Sequence, residues 1–257
     1  MRLVRIFACA LLLSGAIVGA TAADTLFFFG HGGLNEGHTQ LQALYAANGC
    51  GGQFDFNSDA SLPALGNYHL LFISVPGLTA PGAFFTAGEK ASITAWLANA
   101  NNRIVLIGEW DGFYGAGAAV LIDLINSIGV GGMAFLPGVY DSGCYAYSCA
   151  GILGIDPLTA GLSHLCKAAT STWNQGAGSA VAFPYENPNS PWVITNGTNL
   201  PCIVGIGDSN ALSDGCGYLT SDANTQTFAL RLCSVTCSGD PVDVRRSTWG
   251  RLKLMYQ

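Results

Sequence analysis

Short apolar runs alternate along the chain with segments whose apolar positions recur at helical spacing. This is the pattern of an α/β fold built on a mainly parallel sheet. Thr25–Phe29 predicts a first strand, and after the loop GHGGLNEGH a helix is expected over Thr39–Ala47. QFDF (Gln53–Phe56) predicts a short second strand, and HLLFISV (His69–Val75) a buried third one stopped by Pro76-Gly77. A helix over Ala87–Asn99 places Ile93, Trp96 and Leu97 on one face; a strand at Ile104–Ile107 and a helix at Gly117–Ile128 follow. Later strands are expected at Ala180–Phe183, Trp192–Thr195 and Ile203–Ile206, and Gln226–Cys233 reads as the last helix of the domain. The periodicity breaks down between Gly129 and Thr172. There YDSGCYAYSCAG predicts a disulfide-braced loop or excursion, and GIDPLTAGLSHL has room for one helical turn.

The two ends read differently from the middle. Arg2 and Arg5, the apolar run Ile6–Ala20 and the small residues up to Ala23 have the form of a cleaved secretory signal over residues 1–23. That run is shorter than the ~20 residues of a membrane span, and no segment of the mature chain is apolar enough to cross a bilayer. A secreted, periplasmic or extracellular protein is expected. The α/β domain then covers residues 24–237. Residues 238–257 form a linker and a short C-terminal helix capped by Thr248, with Trp249, Leu252 and Met255/Tyr256 along one side. That helix either packs back on the domain or serves as an anchoring or sorting tail.

Charge narrows the partners. Removing Arg2 and Arg5 leaves eight basic residues against sixteen acidic ones, a formal charge of −8 for the mature chain. Nucleic acids and anionic lipid surfaces, which reward clustered Lys and Arg, are therefore excluded as expected partners. With 34 glycines and 10% charged residues, the loops are Gly-rich and solubility rests on uncharged polar groups.

Cysteine usage agrees with export. Cys9 leaves with the signal, and Cys50, Cys144, Cys149, Cys166, Cys202, Cys216, Cys233 and Cys237 remain, an even number suited to disulfides. The sequence-near pairs Cys144–Cys149 and Cys202–Cys216 are candidates. A zinc site at Cys144/Cys149 or Cys233/Cys237 would lack both CxxC spacing and a nearby His.

Candidate chemistry gathers in the loops expected at the carboxyl edge of the sheet. GHGGLNEGH offers backbone N–H groups at Gly30, Gly32 and Gly33 for an anion or ligand oxygen, and His31 with Glu36 or His38 for proton transfer. The plainer alternative is a Gly-rich connection with solvated histidines. In RIVLIGEWDGFYGAG a strand runs into a helix through Glu109-Trp110-Asp111, with Phe113 and Tyr114 just beyond. These aromatics suit stacking on a sugar or peptide, or else plug a pocket and belong to the core. The late GIGDSNALSDG adds Asp208, Ser209, Asn210 and Asp214. Ser209 resembles the nucleophile of Gly-Asp-Ser esterases, but no His follows it, so its hydroxyl and Asp208 are expected to bond the loop backbone. Glu36, Glu109, Asp111, Asp208 and Asp214 could serve glycan hydrolysis as a carboxylate pair, or hold Ca²⁺ with loop carbonyls, although their spacing is not that of an EF-hand. No other cofactor is expected. Asn196-Gly197-Thr198 is a formal glycosylation sequon.

Taken in order, HLLFISVPG, Gly88-Glu89, RIVLIGEWDG, INSIGV and IVGIGDSN…DANTQTFALRL resemble the class I glutamine amidotransferase-like superfamily, in its non-amidotransferase branch among secreted and envelope proteins of bacteria. The resemblance implies a flavodoxin-like three-layer sandwich with a mainly parallel sheet. In the amidotransferases of that superfamily the corner reads G-x-C-x-G, with a late His-x-Glu pair that activates the Cys. Here Trp110 occupies the Cys position between Gly108 and Gly112, and none of His31, His38, His69 and His164 is followed two residues later by Glu. Amidotransfer would then lack both nucleophile and base. The expected role is a non-catalytic binding or structural module of the cell envelope or exterior, with a glycan or envelope protein as partner. The ligand would meet His31, Gly32, Gly33, Glu36, Glu109, Trp110, Asp111, Tyr114, Asp208, Ser209 and Asn210. The alternative is a secreted, glycan-directed hydrolase using the acids at the sheet edge.

Overall fold

The structure, a computed structural model, describes residues 25–33, 37–50, 52–55, 61–74, 84–128, 132–140, 144, 149, 151–176, 178–184, 187–196 and 201–235. The expected signal, Glu36 and the C-terminal segment 238–257 lie outside these. Of residues 111–116 only the backbone is described.

The strands are β1 (Thr25–Phe28), β2 (Gly52–Asp55), β3 (Leu70–Ser74), β4 (Arg103–Ile107), β5 (Ala134–Tyr140), β6 (Gly151–Leu153), β7 (Thr170–Asn174), β8 (Ser179–Pro184), β9 (Val193–Thr195) and β10 (Ile203–Ile206). The helices are α1 (Thr39–Ala47), α2 (Ala87–Trp96), α3 (Asp111–Ile128), the single turn α4 (Tyr218–Ser221) and α5 (Ala223–Ser234). Eight strands form one sheet in the order β2-β1-β3-β4-β10-β9-β8-β6. The first five are parallel, with Thr25 level with Gly52 and Leu70, Leu71 with Ile104, and Ile104 with Ile203. β9, β8 and β6 extend the sheet by antiparallel pairing. With β10 in fifth place, the parallel part has the 2-1-3-4-5 order of flavodoxin-like folds.

Three layers follow from how the strands divide their side chains. Phe27, Leu70, Phe72, Val105, Ile107, Val204 and Ile206 pack on one face with Leu41 and Tyr45 of α1 and Phe228, Ala229 and Leu232 of α5. Leu26, Phe28, Leu71, Ile73, Ile104, Leu106 and Ile203 pack on the other with Ile93 and Trp96 of α2 and Val120, Leu121, Leu124 and Ile125 of α3. Burial on both faces is why these strands read as unbroken apolar runs rather than alternating ones. The Phe27 and Phe72 rings stack at 3.9 Å across β1 and β3. α2 starts where it does because Thr86 and Glu89 form a reciprocal capping box.

Three expectations are corrected. The helix expected from Gly117 begins at Asp111, directly after the corner. Gly112, Gly115 and Gly117 conceal its first turns, since glycine is a poor helix former and packing of the later apolar face carries the helix. The stretch Gly129–Thr172, where the sequence predicts no strand, contains β5, β6 and the start of β7, while the expected disulfide bracing of YDSGCYAYSCAG is present through Cys144 and Cys149. β5 and β7 form an antiparallel ribbon of their own, whose register shifts between Leu136 and Tyr140, while β6 pairs with β8 at the sheet edge. Where one helical turn had room, Asp156 and Thr159 anchor two hydrogen-bonded turns: the Thr159 N–H donates to the Asp156 carbonyl at 3.0 Å and the Leu162 N–H to that of Thr159 at 2.9 Å.

The third correction concerns the disulfides, which join Cys50 to Cys233, Cys144 to Cys216 and Cys149 to Cys166. Cys202 is also disulfide-bonded, with its partner outside the described residues. Neither sequence-near pair forms, because pairing follows spatial approach rather than chain distance. Cys50, just past α1, meets Cys233 in the last turn of α5, with Cα atoms 6.1 Å apart. Beside this staple, the buried Arg103 of β4 donates from Nη1 to the Leu232 carbonyl at 2.6 Å, capping the C-terminal end of α5.

Candidate functional site

The carboxyl ends of β1, β3, β4 and β10 open on the expected loops. The corner after β4 is not the strained turn of a nucleophile elbow. Among the described residues His31, with φ 58°, is the one non-glycine in the left-handed region, so Trp110 stands in ordinary backbone. Gly108 also has no positive φ. A Cβ there would come within 2.2 Å of the Phe135 ring, so this glycine admits the β5–β7 ribbon rather than a sharp corner.

Glu109 points inward. It is 5% exposed; its Oε1 accepts the Trp110 N–H at 2.8 Å, and its Oε2 accepts the Ser209 hydroxyl at 2.5 Å and the Ser209 N–H at 3.2 Å. The Glu109 carbonyl takes the Ser171 hydroxyl of β7 at 2.8 Å. Asp208 is fully buried. Its Oδ1 accepts the Asn210 N–H at 2.9 Å, capping a 3-10 turn over Ser209–Ala211, and its Oδ2 accepts the Ala168 N–H. Glu109, Asp208 and Ser209 therefore form one buried network that ties β4, β7 and β10 together. Buried carboxylates persist only when satisfied in this way.

His31 lies across the sheet, after β1. Its Nε2–H donates to Glu89 Oε1 at 2.8 Å, and its ring packs on Phe28 and Phe85. Glu89 also accepts the Leu62 N–H and the N–H and hydroxyl of Thr86, each at 2.8 Å. Desolvation raises its pKa, but these four hydrogen bonds outweigh it and hold the carboxyl at about 2. His31 and Glu89 thus clasp the loop after β1 to the helix after β3. In the strand order here, this is where the chain reverses direction across the sheet. Phe84, beside the clasp, is 52% exposed.

His38 is not solvated. It is 1% exposed between Phe27 and Phe29, and neither ring nitrogen has a hydrogen-bond partner. Desolvation lowers its pKa to about 4, against a smaller opposing pull from Asp214. Asp214 sits over the start of α1. Its Oδ2 accepts the N–H and hydroxyl of Thr39 at 2.8 and 2.6 Å, and its Oδ1 the N–H of Gln40 at 2.9 Å. It caps a helix that starts 175 residues earlier in the chain and whose own cap residue, His38, supplies no side-chain bond.

A second constellation flanks this edge. The Ser163 hydroxyl lies 2.9 Å from His164 Nδ1, and His164 Nε2 lies 2.8 Å from Asp222 Oδ2. Asp222 caps α5 through the Thr225 N–H at 2.6 Å. Desolvation pushes the Asp222 pKa up, and the bonds from Thr225 and His164 overcome it and hold the group below its ordinary value. Cys166 Sγ lies within 4.8 Å of the His164 and Asp222 ligand atoms. That sulfur is bonded to Cys149 and offers no thiolate to a metal.

Of the sequence candidates, the fold brings Glu109 and Ser209 into direct contact, with the Trp110 N–H bonded to Glu109, while Asp208, next to Ser209 in the chain, accepts from the Asn210 and Ala168 N–H groups. His31, Gly32 and Gly33 sit apart over β1, and the Gly33 N–H donates to the Phe29 carbonyl at 2.9 Å. The side chains of Asp111, Phe113 and Tyr114, like Glu36, are outside the description. Asn196 is buried, its Nδ2 donating to the Pro201 carbonyl at 3.0 Å, so the sequon's amide faces inward. Sequence reasoning missed Glu89, Ser171 and the Ser163–His164–Asp222 chain. The adjacent Ser-His pair and Asp222 as a helix cap before ANTQ were legible signals, but their meeting was not.

Neither a protein-family model nor a curated protein matches the sequence. Among solved structures the chain is similar to the mmIFT52 N-terminal domain, at a TM-score of 0.60 and 14% identity over 81% of this chain and 94% of that one; the two share a fold. An exo-β-1,4-mannosidase from Opitutaceae bacterium strain TAV5 aligns at a TM-score of 0.43 and 11% identity over 81% of this chain, which spans 35% of that enzyme.

Proposed function

We propose that this chain is an exported, non-catalytic binding or structural module of the cell envelope or exterior, built on a degenerate relative of the glutamine amidotransferase-like fold. Disulfides between distant parts of the chain suit an oxidising compartment. The strand order of the parallel half supports the fold relationship. The observation that carries the functional reading is the inward turn of Glu109, Asp208 and Ser209. A glycan hydrolase needs two carboxyl groups flanking a sugar, whereas Glu109 and Asp208 are 5% and 0% exposed and bond the protein's own backbone and Ser209. A binder instead uses what the edge still presents: the strained His31 loop, the exposed Phe84 and the half-buried Trp110. Glycan or peptide recognition there would proceed by stacking and by loop N–H groups.

The test is an array of glycans and peptides, run with and without Ca²⁺, probed with the wild type and Trp110→Ala. Specific binding weakened by the substitution is expected. An array with no ligand that Trp110→Ala weakens would remove the binding reading. A glycosidase activity that Glu109→Gln abolishes would replace it with the hydrolytic one.

A further inference from the structure

The Ser163–His164–Asp222 chain takes no part in the network just described, and its outer end is open. Ser163 is exposed and His164 partly so, while Asp222 is mostly covered. Helix α5 holds the carboxylate in place through the Thr225 N–H and keeps it ionised. An ionised Asp222 fixes the neutral His164 tautomer with its proton on Nε2, which leaves the Nδ1 lone pair facing the Ser163 hydroxyl 2.9 Å away. Acid, base and nucleophile thus stand in the order of a Ser-His-Asp triad, with the two ring nitrogens exchanging roles. Two further features favour chemistry. The Asn224 Nδ2, 3.5 Å from His164 Nδ1 and 3.4 Å from His164 Nε2, places a donor in the first turn of α5 beside the imidazole, on the residue whose Oδ1 accepts the Ser163 N–H. The segment is also anchored on both sides: Ser163 N–H donates to Asn224 Oδ1 at 3.3 Å, Cys166 N–H to Thr225 Oγ1 at 3.1 Å, and Cys166 is bonded to Cys149.

We propose that Ser163 is the nucleophile of an acyl-ester hydrolase centre, with His164 as its general base and Asp222 as the group that positions His164. Ser163 Oγ attacks the ester carbonyl carbon as its proton passes to His164 Nδ1. The tetrahedral adduct expels the alcohol, which takes that proton, and leaves an acyl-Ser163. Water then attacks the acyl carbon and gives its proton to Nδ1; Ser163 Oγ leaves and recovers the proton. The sum is ester plus water to acid plus alcohol. The open position of Ser163 suits small or surface-borne acyl esters, such as acetyl groups, rather than a long chain needing a deep pocket. This centre lies apart from the Glu109–Asp208–Ser209 network on which the non-catalytic reading rests, and it adds an activity to the binding role; the two are separable, since that role is read by Trp110→Ala on an array and this one by Ser163→Ala in turnover.

The experiment incubates the full disulfide-bonded chain with p-nitrophenyl acetate and, separately, with a fluorophosphonate probe, then maps the modified serine by mass spectrometry. Expected are turnover that falls about 100-fold in Ser163→Ala and in His164→Ala, and label on Ser163. Asp222→Asn keeps an oxygen to cap α5 and should retain the fold while lowering the rate and weakening its rise with pH. Thermal melts of each variant confirm folding, and Ser163, being exposed, can be replaced without disturbing the core. Turnover unchanged in Ser163→Ala, or label on serines other than Ser163, would overturn the proposal.

Discussion

The two halves of the sheet are built on different terms. From β2 to β10 every strand is parallel to its neighbour, and β1, β3, β4 and β10 are buried throughout. From β9 to β6 the pairing is antiparallel; β8 mixes buried and half-buried positions, and the β5–β7 ribbon stands outside the main sheet. The parallel half is held by two helix-covered cores. The other half docks on it through glycines that admit aromatic rings and backbone: Gly108 against Phe135, Gly205 against Trp173 and Gly207 against the Ser171 carbonyl. It is further tied by Cys144–Cys216 and Cys149–Cys166. The lesson is that one half is an α/β frame covered by helices on both faces, while the other is a graft that continues both cores and whose fit depends on small residues and cross-links.

Cutting the staple of the frame should have the largest effect. The Cys50–Cys233 bond joins residues 183 apart, and replacing both cysteines with Ser is expected to lower stability by about 5 kcal/mol, against about 3 kcal/mol for the same change at Cys149 and Cys166, 17 apart. Denaturant unfolding checks the difference. Hydrogen exchange should show the second pair loosening β6, β7 and their turns while β1, β3 and β4 stay protected. If both pairs loosen the whole molecule alike, the frame and graft are one cooperative unit.

Next comes the seam. Gly207→Ala would place a Cβ 2.0 Å from the Ser171 carbonyl oxygen, a backbone atom that cannot move aside cheaply, and should cost about 3 kcal/mol. Gly66→Ala, with nothing within 4 Å, serves as the control and should stay within about 0.5 kcal/mol of wild type. Equal melting temperatures for the two would mean the seam is loose.

The smallest effect is a pH dependence inside the frame. His38 has a folded pKa of about 4 against an ordinary 6.5, so the unfolded chain binds more protons between those values. Its contribution is fully present above pH 6.5 and is lost as pH falls through 4. Glu89, held at about 2 against 4.5, acts only below pH 4.5. His38→Leu should therefore flatten the stability profile between pH 6.5 and 4.5 and stay within about 1 kcal/mol of wild type at neutral pH, because no hydrogen bond is lost. Melts across that range decide it; an unchanged slope would place the acid sensitivity elsewhere.

The same division governs what could be read in advance. α1 and β10 were predicted to the residue, and β1, β3 and β4 to within one residue at either end, because double-sided burial demands apolar runs and α1 follows its periodicity. β5 was hidden by Pro137 and Gly138, and β6 by its shortness; both owe their strand state to a partner strand. In the candidate site, the residue types at 109, 208 and 209 were legible as a polar edge. That their carboxylates face inward was not, since a sequence does not say whether an acid meets water or a backbone N–H.

The sequence by itself determined the alternation of strands and helices, the cysteine supply and the residue types at the loops of the sheet edge, Trp110 among them. These are properties of composition and local periodicity. Tertiary structure alone decided which cysteines meet, that Asp214 caps α1 from 175 residues away, that His38 is buried without a partner, and that Ser163, His164 and Asp222 stand in line. Each of these depends on segments far apart in the chain being brought together, and the strand order that does so is set by the packing of both layers at once.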